Sequence, residues 1–346
     1  MIPFSILDLS QISEGFSVSD ALSNSALMAQ AAEAHGYYRY WLAEHHGMPA
    51  IASAATSIVI AHVGQATKTI RIGSGGIMLP NHSPLVIAEQ FGTLEALFPG
   101  RVDLGLGRAP GTDHVTARAL RRNMPDSMNA GVDSFPQDIL ELQAYFAEPE
   151  EGQRLLAVPG MNAHVPIWLL GSSLYSAQLA ALLGLPYAFA SHFAPELLFE
   201  ALHVYRSQFK PSEALSKPHT MVGVMGVAAD TDAEAEFLYT SMQQSFANLR
   251  RNVRKPFPKP DYDAVAELTA DEQAMIDHML RFAMVGSPAT IEKRLSSFLD
   301  QTQADELIIS MPIHDIAARL HSVELFAGLT RMQRARQRFE RSGGDG

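Results

Sequence analysis

The chain of 346 residues contains no cysteine. This absence excludes thiolate nucleophiles, disulfide bonds, and zinc or iron–sulfur sites ligated by cysteine. It leaves the redox compartment open, because only disulfides would report it. Basic residues are also scarce, with 26 Lys and Arg against 37 Asp and Glu and a net charge of −11. Nucleic acid and anionic membranes both attract clustered cations, so we expect neither as a partner.

Long apolar runs are missing as well. No uninterrupted run approaches the ~18 residues that a membrane helix needs. The N-terminal residues 1–9 include Asp8 and no basic segment, which is typical of a buried strand and not of a signal peptide. The one basic run, residues 331–336, is typical of a solvated helix end. We therefore expect a soluble, cytoplasmic protein.

The sequence does contain a regular alternation of short apolar runs and longer helical patterns. Hydrophobic residues make up 47% of the chain, which is ample for a closed, two-layer core. Eight strands are predicted, each followed by a helix, over residues 4–9, 38–43, 71–79, 102–107, 167–170, 187–191, 221–228 and 306–310. This order predicts an α/β fold, a single-domain (β/α)8 TIM barrel over residues 1–346. An open doubly wound sheet is the alternative, but no break in composition divides the chain into halves.

Two connections exceed the usual length of about 2–6 residues. They are residues 109–134 and 250–284, which we interpret as insertions at the C-terminal face of the barrel. The second follows a predicted helix over 233–249 and begins with a proline-rich stretch that cannot be helical. A further helix is predicted over 271–284. For residues 250–272, a mobile lid and a plain surface insertion both remain open.

The sequence Glu44-His45-His46 lies directly after the second predicted strand, at the end where barrel enzymes keep reactive groups. Neighbouring side chains in extended backbone point to opposite sides, so one histidine should enter the barrel mouth and the other should point outward. Zinc is a poor alternative, because adjacent histidines diverge and no cysteine completes a ligand set. A purely structural histidine is the ordinary alternative, but the position at a strand end favours catalysis.

Glycines interrupt the third predicted strand at Gly73, Gly75 and Gly76. Glycine weakens a strand, so its presence indicates a close approach by another body or unusual backbone angles. The sequence leaves two interpretations open. The strand bends at a barrel corner, or a flat ring lies against bare backbone.

Two further segments are suited to an anion. Arg108 follows the fourth strand, and its guanidinium suits a phosphate, with a surface salt bridge as the alternative. Ser172, Ser173 and Ser176 follow the fifth strand and open a helix, where free N–H groups attract anions. One of these serines is also expected to cap the helix. Residues 104–111 lack the G-x-G-x-x-G spacing, so they predict no dinucleotide fold.

Together these motifs resemble the luciferase-like, FMN-linked monooxygenases, and are most similar to the YhbW-like branch of that family. The resemblance runs from residue 1 to about residue 330. It rests on motifs that occur in the same order in the family, at residues 40–46, 75–84, 88–90, 99–108 and 170–173. Light-emitting members carry a reactive cysteine before the phosphate arginine. Here that position is Gly107, a departure that argues against bioluminescence.

The resemblance implies a role for each motif. His45 would be the catalytic histidine beside the flavin, and Gly75-Gly76 would form a non-prolyl cis peptide beneath the isoalloxazine. The remaining cofactor contacts would hold the FMN phosphate and come from Arg108, Ser172, Ser173 and Ser176. His46 and Glu89 would lie near a homodimer interface made by the helices after strands two and three. Pocket walls at Met78, His192 and Phe193 predict a small, partly apolar substrate such as an aldehyde.

The predicted activity is that of a two-component FMN-dependent monooxygenase acting with O2. Reduced FMN would come from a separate flavin reductase, because the chain carries no nicotinamide-binding signature. His45 would serve as acid or base. A deazaflavin-dependent dehydrogenase of the same barrel superfamily and a non-catalytic flavin-binding protein are the alternatives. A barrel aldolase or isomerase would need a lysine or a metal cluster, and no predicted strand contains a lysine.

Overall fold

A computed structural model of the chain describes residues 2–109, 111–121 and 134–342, of which 330–342 are described as backbone only. The predicted insertion 109–134 is therefore described in part, and the side chains of the basic run 331–336 lie outside the described residues. No helix in the described part of the chain is long and apolar enough to cross a membrane.

The strands and helices alternate along the chain. In order they are β1 Phe4–Asp8, α1 Val18–Ala34, β2 Arg39–Leu42, α2 Thr56–Ala66, β3 Arg71–Met78, α3 Pro84–Leu97, β4 Val102–Gly107, α4 His114–Leu120, α5 Phe135–Phe146, β5 Ile167–Gly171, α6 Leu174–Leu183, β6 Tyr187–Phe189, α7 Leu198–Gln208, β7 Thr220–Ala228, α8 Asp232–Arg250, α9 Tyr262–Ala266, α10 Ala270–Met279, β8 Met284–Gly286, α11 Pro288–Thr302, β9 Glu306–Ser310 and α12 Ile316–Ser342. A short 3-10 helix, Leu79–Asn81, follows β3.

Eight of the strands form a closed parallel barrel, which confirms the predicted fold. Strands β1 to β7 pair in sequence order, and β9 pairs with both β7 and β1 to complete the ring. Alternate residues of each strand face in opposite directions, one set toward the helices and the other toward the barrel interior. Ile6 and Tyr40 pack outward against the helices, whereas Leu7 and Trp41 fill the barrel interior. Both faces of the strands are thus buried, which explains their nearly continuous apolar sequences.

Paired charges close the N-terminal end of the barrel. Arg39, at the start of β2, donates from Nη1 to Asp103 Oδ2 at 2.6 Å and from Nε to Glu306 Oε1 at 2.9 Å. Arg71 donates from Nη2 to the other oxygen of Asp103 at 2.6 Å. Because these buried charges satisfy one another, they do not form a binding site for a charged ligand. The candidate chemistry lies at the opposite end.

The connection between β7 and β9 differs from the expectation. The helix predicted over 233–249 exists as α8, but its buried side chains pack in clusters apart from the main core, against Met225, Phe257, Ile276 and Leu280 among others. Helix α11, which the sequence analysis missed, packs Ile291, Leu295 and Phe298 into the core around the barrel. The predicted helix over 271–284 is wrong in its last turn, because α10 ends at Met279 and Met284 begins β8.

We propose that the insertion in this connection begins directly after β7, at Ala229, and not at Arg250. Strand β8 pairs only with the last residues of β7, beyond the ring, and the chain then enters α11. The proposed boundary differs from the sequence prediction for a physical reason. An amphipathic pattern shows that one face of α8 is buried, but it does not show what covers that face.

Candidate active site

The predicted site residues gather at one end of the barrel. His45 follows β2, Arg108 follows β4 and His192 follows β6, while the serines follow β5. The barrel strands are parallel, so their carboxyl ends meet at a single mouth. Four separate stretches of sequence therefore reach one region of the molecule.

His45 holds a defined tautomer. Its Nδ1 atom lies 3.2 Å from the backbone oxygen of Gly111, in the loop after β4. A carbonyl oxygen only accepts hydrogen bonds, so Nδ1 carries the hydrogen. The Nε2 atom has no partner among the described residues and is not sealed from solvent. Burial lowers the pKa of His45. At neutral pH the ring is therefore uncharged and presents a lone pair at Nε2.

Glu44 organises the other side of this segment, and the sequence analysis gave it no role. Its carboxylate is fully buried and accepts hydrogen bonds from His46 Nε2 at 2.8 Å, from His82 Nε2 at 2.9 Å and from the Met78 N–H at 2.9 Å. Burial opposes ionisation of Glu44, but the His82, His46 and backbone hydrogen bonds bring its pKa below the usual value. His46 points to this carboxylate, and His45 to Gly111.

The peptide bond between Gly75 and Gly76 is cis, as the resemblance implies. Both glycines are also tightly packed in the barrel wall, and Gly76 lies against backbone. A methyl group on Gly75 would lie 2.6 Å from Leu7 Cδ1, and one on Gly76 would lie 2.7 Å from the backbone oxygen of Gly105. Packing inside the wall thus accounts for the absence of side chains. Contact between this backbone and a flavin ring remains a prediction.

Arg108 has no carboxylate partner among the described residues. Its Cζ atom lies 4.2 Å from the ring centre of Tyr175, in the first turn of α6. The described arginines that pair with carboxylates are others, namely Arg39, Arg71, Arg251, Arg254 and Arg319. The surface salt bridge that we considered for Arg108 is therefore not formed within the described chain. Its guanidinium instead lies beside the N-terminus of α6.

The serines at this helix are partly engaged. Ser173 is the N-cap of α6, and its Oγ accepts from the Ser176 N–H at 3.4 Å. Ser176 Oγ donates to the backbone oxygen of Ser173 at 2.8 Å and lies 3.2 Å from Tyr187 Oη. Ser172 is half-buried. A cation thus lies beside the first turn of a helix that begins with hydroxyl groups, and this arrangement suits a phosphate group.

The predicted pocket residues divide between two walls. His192 and Phe193 lie together after β6, with ring centres 4.8 Å apart in an edge-to-face contact. Met78 ends β3, on the other wall, and its side chain packs against Gly107. A methyl group on Gly107 would lie 2.8 Å from the Met78 sulfur. The pKa of His192 is lowered to about 4 by burial and by the nearby His45. Glu89 lies on α3, outside the mouth.

The chain is similar to known proteins in both sequence and fold. The family model described as luciferase-like monooxygenase matches residues 2–306. A luciferase-like monooxygenase of Escherichia coli K12 is 53% identical over 324 residues, which cover 94% of this chain and 96% of that protein. The N-acetyl-S-alkylcysteine monooxygenase of Bacillus subtilis is 37% identical over 243 residues, which cover 68% of this chain and 70% of that protein.

Two solved structures share the fold. The crystal structure of apo-MsnO8 superposes with a TM-score of 0.87 at 34% identity, covering 96% of this chain and 99% of that one. A type II Baeyer-Villiger monooxygenase, the oxygenating constituent of 3,6-diketocamphane monooxygenase of Pseudomonas putida in complex with FMN, superposes with a TM-score of 0.69. Its identity of 18%, over 94% of this chain and 96% of that one, supports the fold alone. With the family match over most of its length, the chain belongs to the luciferase-like monooxygenases, and the enzyme class that its motifs predicted is confirmed.

Proposed function

We propose that this chain is the oxygenating component of a two-component system. It would take reduced FMN from a separate flavin reductase and use O2 to oxidise a small, partly apolar substrate. The observation that carries the proposal is the position of Arg108 beside the N-terminus of α6, without a carboxylate partner among the described residues. A phosphate at this point would satisfy both the guanidinium and the free N–H groups of the helix.

The geometry also supports separate roles for two sides of the mouth, phosphate binding on one and proton transfer on the other. The phosphate contacts come from the ends of β4 and β5, whereas His45 comes from the end of β2. Reduced flavin, when bound, would supply the electrons that activate O2. His45 can take up a proton at Nε2, because Nδ1 is held by the Gly111 oxygen and the ring is neutral.

Two substrate classes enter the proposal, one from the residues at the mouth and one from the name of a relative. Met78 and the half-exposed Phe193 supply apolar contact, which suits the aldehyde expected from the sequence. The relative from Bacillus subtilis is named for N-acetyl-S-alkylcysteines. We therefore add alkyl thioethers to the proposal as a class to be tested beside aldehydes.

We further propose that the protein is a homodimer through α2 and α3. Ile58 on α2 and Val86 on α3 are apolar and exposed, at 70% and 42%. Glu89 lies on α3, and His46 lies near its start through the shared contact of His46 and His82 with Glu44. Sedimentation of wild type and of an Ile58→Asp, Val86→Asp double variant tests this, and a monomeric wild type contradicts it.

The function is tested with photoreduced FMN, heavy-isotope O2 and a panel of alkyl thioethers and aldehydes. We expect one heavy oxygen atom in the product of at least one class, measured by mass spectrometry, and none when oxidised FMN replaces reduced FMN. Oxidation without O2, with a reduced deazaflavin formed in step, would favour the dehydrogenase. FMN binding without any product would favour the non-catalytic carrier.

A further inference from the structure

Two histidines reach the centre of the barrel mouth from opposite walls. In the ring of eight strands, β2 and β6 are separated by three strands on either side, so they are diametrically opposed. His45 follows the first and His192 follows the second. They are nevertheless close enough that a charge on His45 lowers the pKa of His192. The two histidines are therefore near each other at the mouth, although their strands lie on opposite sides of the ring.

The wall of the barrel fixes the orientation of the His192 ring. Its Nδ1 atom is buried and has no hydrogen-bond partner. Gly223, on β7, makes room for it, because a methyl group there would lie 2.5 Å from Nδ1. Phe193 packs edge-to-face against the ring. The Nε2 atom is not among the buried atoms without a partner, so it is the nitrogen left to contact a ligand.

The two imidazole rings present polar but uncharged groups to the space between them. Burial keeps both imidazoles neutral at pH 7. The carboxylate of Glu44 is turned away, toward His46 and His82. Arg108 lies at the ends of β4 and β5, beside Tyr175. An anionic group placed between the rings would lose its hydration without gaining a counter-charge, which is costly.

We propose that His192 is a specificity-determining residue, which forms with His45 a subsite for a neutral polar group of the substrate. This group would be a carbonyl, amide or hydroxyl, and not a carboxylate, sulfonate or phosphate. The inference rests on the proposed function, since it takes the mouth as the substrate site. It adds that the hydrogen-bonding end of the substrate sits between the two rings.

The test uses benzamide and benzoate, which have nearly the same shape and differ in charge. Binding to the full-length protein, with and without FMN, is followed at pH 7.5 by the imidazole C–H signals in NMR. These signals are assigned from the His45→Gln and His192→Gln variants. We expect benzamide to bind more tightly than benzoate and to shift the signals of both histidines. Benzoate binding equal to or tighter than that of benzamide overturns the proposal, and so does the absence of any shift with either compound.

Substitutions separate a direct contact from a structural effect. His192→Phe keeps an aromatic ring but removes both nitrogens, and should weaken benzamide binding about three- to tenfold, the range for one lost hydrogen bond. His192→Gln keeps a hydrogen-bonding group and should restore most of that loss. His321→Phe, at an exposed histidine of α12, is the matched control and should change nothing. Unchanged benzamide affinity in His192→Phe overturns the proposal. Neither the NMR binding test nor the comparison of variants needs reduced flavin or O2. A negative result in these experiments is therefore distinct from a negative result in the heavy-oxygen assay.

Discussion

The Cζ atom of Arg108 lies 4.2 Å from the centre of the Tyr175 ring, a contact that joins the end of β4 to the first turn of α6. It holds a cation over a side chain of the first helical turn without neutralising it, since an aromatic face leaves the guanidinium hydrogens available. Within the described chain, this makes Arg108 the arginine best placed to meet a phosphate at the mouth.

Replacing Arg108 by alanine should weaken FMN binding by roughly 1.5–3 kcal/mol, the range for a lost hydrogen bond to a charged group. Calorimetry with FMN and with riboflavin gives the sharpest measurement. The wild type should prefer FMN, and Arg108→Ala should lose most of that preference while binding riboflavin as before. Arg294→Ala, at an exposed arginine of α11, serves as the control. An unchanged preference for FMN in Arg108→Ala would show that the phosphate lies elsewhere.

Some features of this site could be predicted from the sequence, and others could not. Strand ends at His45 and Arg108 follow from apolar runs and their breaks, and both residues do lie at the mouth. The role of Glu44 could not be predicted, because its partner His82 lies 38 residues further along the chain. Only the parallel pairing of β2 with β3 brings the two together. The proximity of His45 to His192 is likewise a property of barrel closure and not of any local pattern.

His45→Ala should leave FMN affinity nearly intact, because the proposed phosphate contacts come from β4 and β5. It should lower the rate of product formation by about 10²–10⁴-fold, as expected for a lost acid–base group. The informative control is His46→Ala, whose side chain contacts Glu44 instead. That variant should mainly weaken the dimer, as measured by sedimentation. Equal product rates in wild type and His45→Ala would leave the protein a flavin carrier.

The protein should lose stability as the pH falls from about 6.5 to about 4. The pKa of His192 is lowered to about 4 by burial and by His45, whereas an unfolded histidine has a pKa of ~6.5. Between these values the unfolded chain binds a proton that the folded chain does not, so the contribution of His192 is complete above pH 6.5 and is lost below it. The upper limit of the effect is about 3 kcal/mol.

Urea unfolding of wild type and His192→Asn at several pH values measures this contribution. The difference in the free energy of unfolding between them should shrink as the pH falls. His321 gives a control of opposite sign, because its hydrogen bond to Asp230 raises its pKa. Its contribution should be lost as the pH rises. A constant difference between wild type and His192→Asn from pH 7.5 to 4 would contradict the buried, neutral state of that ring.

The charged end of the barrel shows another limit of sequence analysis. Arg39 and Asp103 lie in predicted strands and look like exceptions to an apolar pattern. Glu306 begins a third strand, more than 200 residues further along the chain. Their mutual pairing inside the barrel explains all three at once. A charge within a buried strand therefore predicts a partner, but the sequence alone does not identify it.

The last prediction concerns the segment from Arg250 to Glu272, proposed as a mobile lid. Its middle is held firmly, because Phe257 is buried and exchanges two backbone hydrogen bonds of 2.8 Å with Ile12 and Glu14. Lys259 and Asp261 are also hydrogen-bonded to side chains of α8. Closer to α8, its tie to the loop after β4 is an exposed ion pair of 3.0 Å between Arg254 and Asp113. Exposed ion pairs contribute at most about 1 kcal/mol to stability. We therefore expect the residues around Arg254 to detach from the loop after β4, while the residues around Phe257 remain in place.

Limited digestion with trypsin should therefore cut first after Arg250, Arg251 or Arg254, and more slowly once FMN is bound. Asp113→Asn should speed the cut, because it removes the charge but keeps the cap that this side chain provides for α4. Glu196→Gln instead alters an exposed pair with His278, and trypsin should cut this variant at the same rate as the wild type. Cutting at the same rate with and without FMN would mean that the segment is a surface insertion and does not respond to the site.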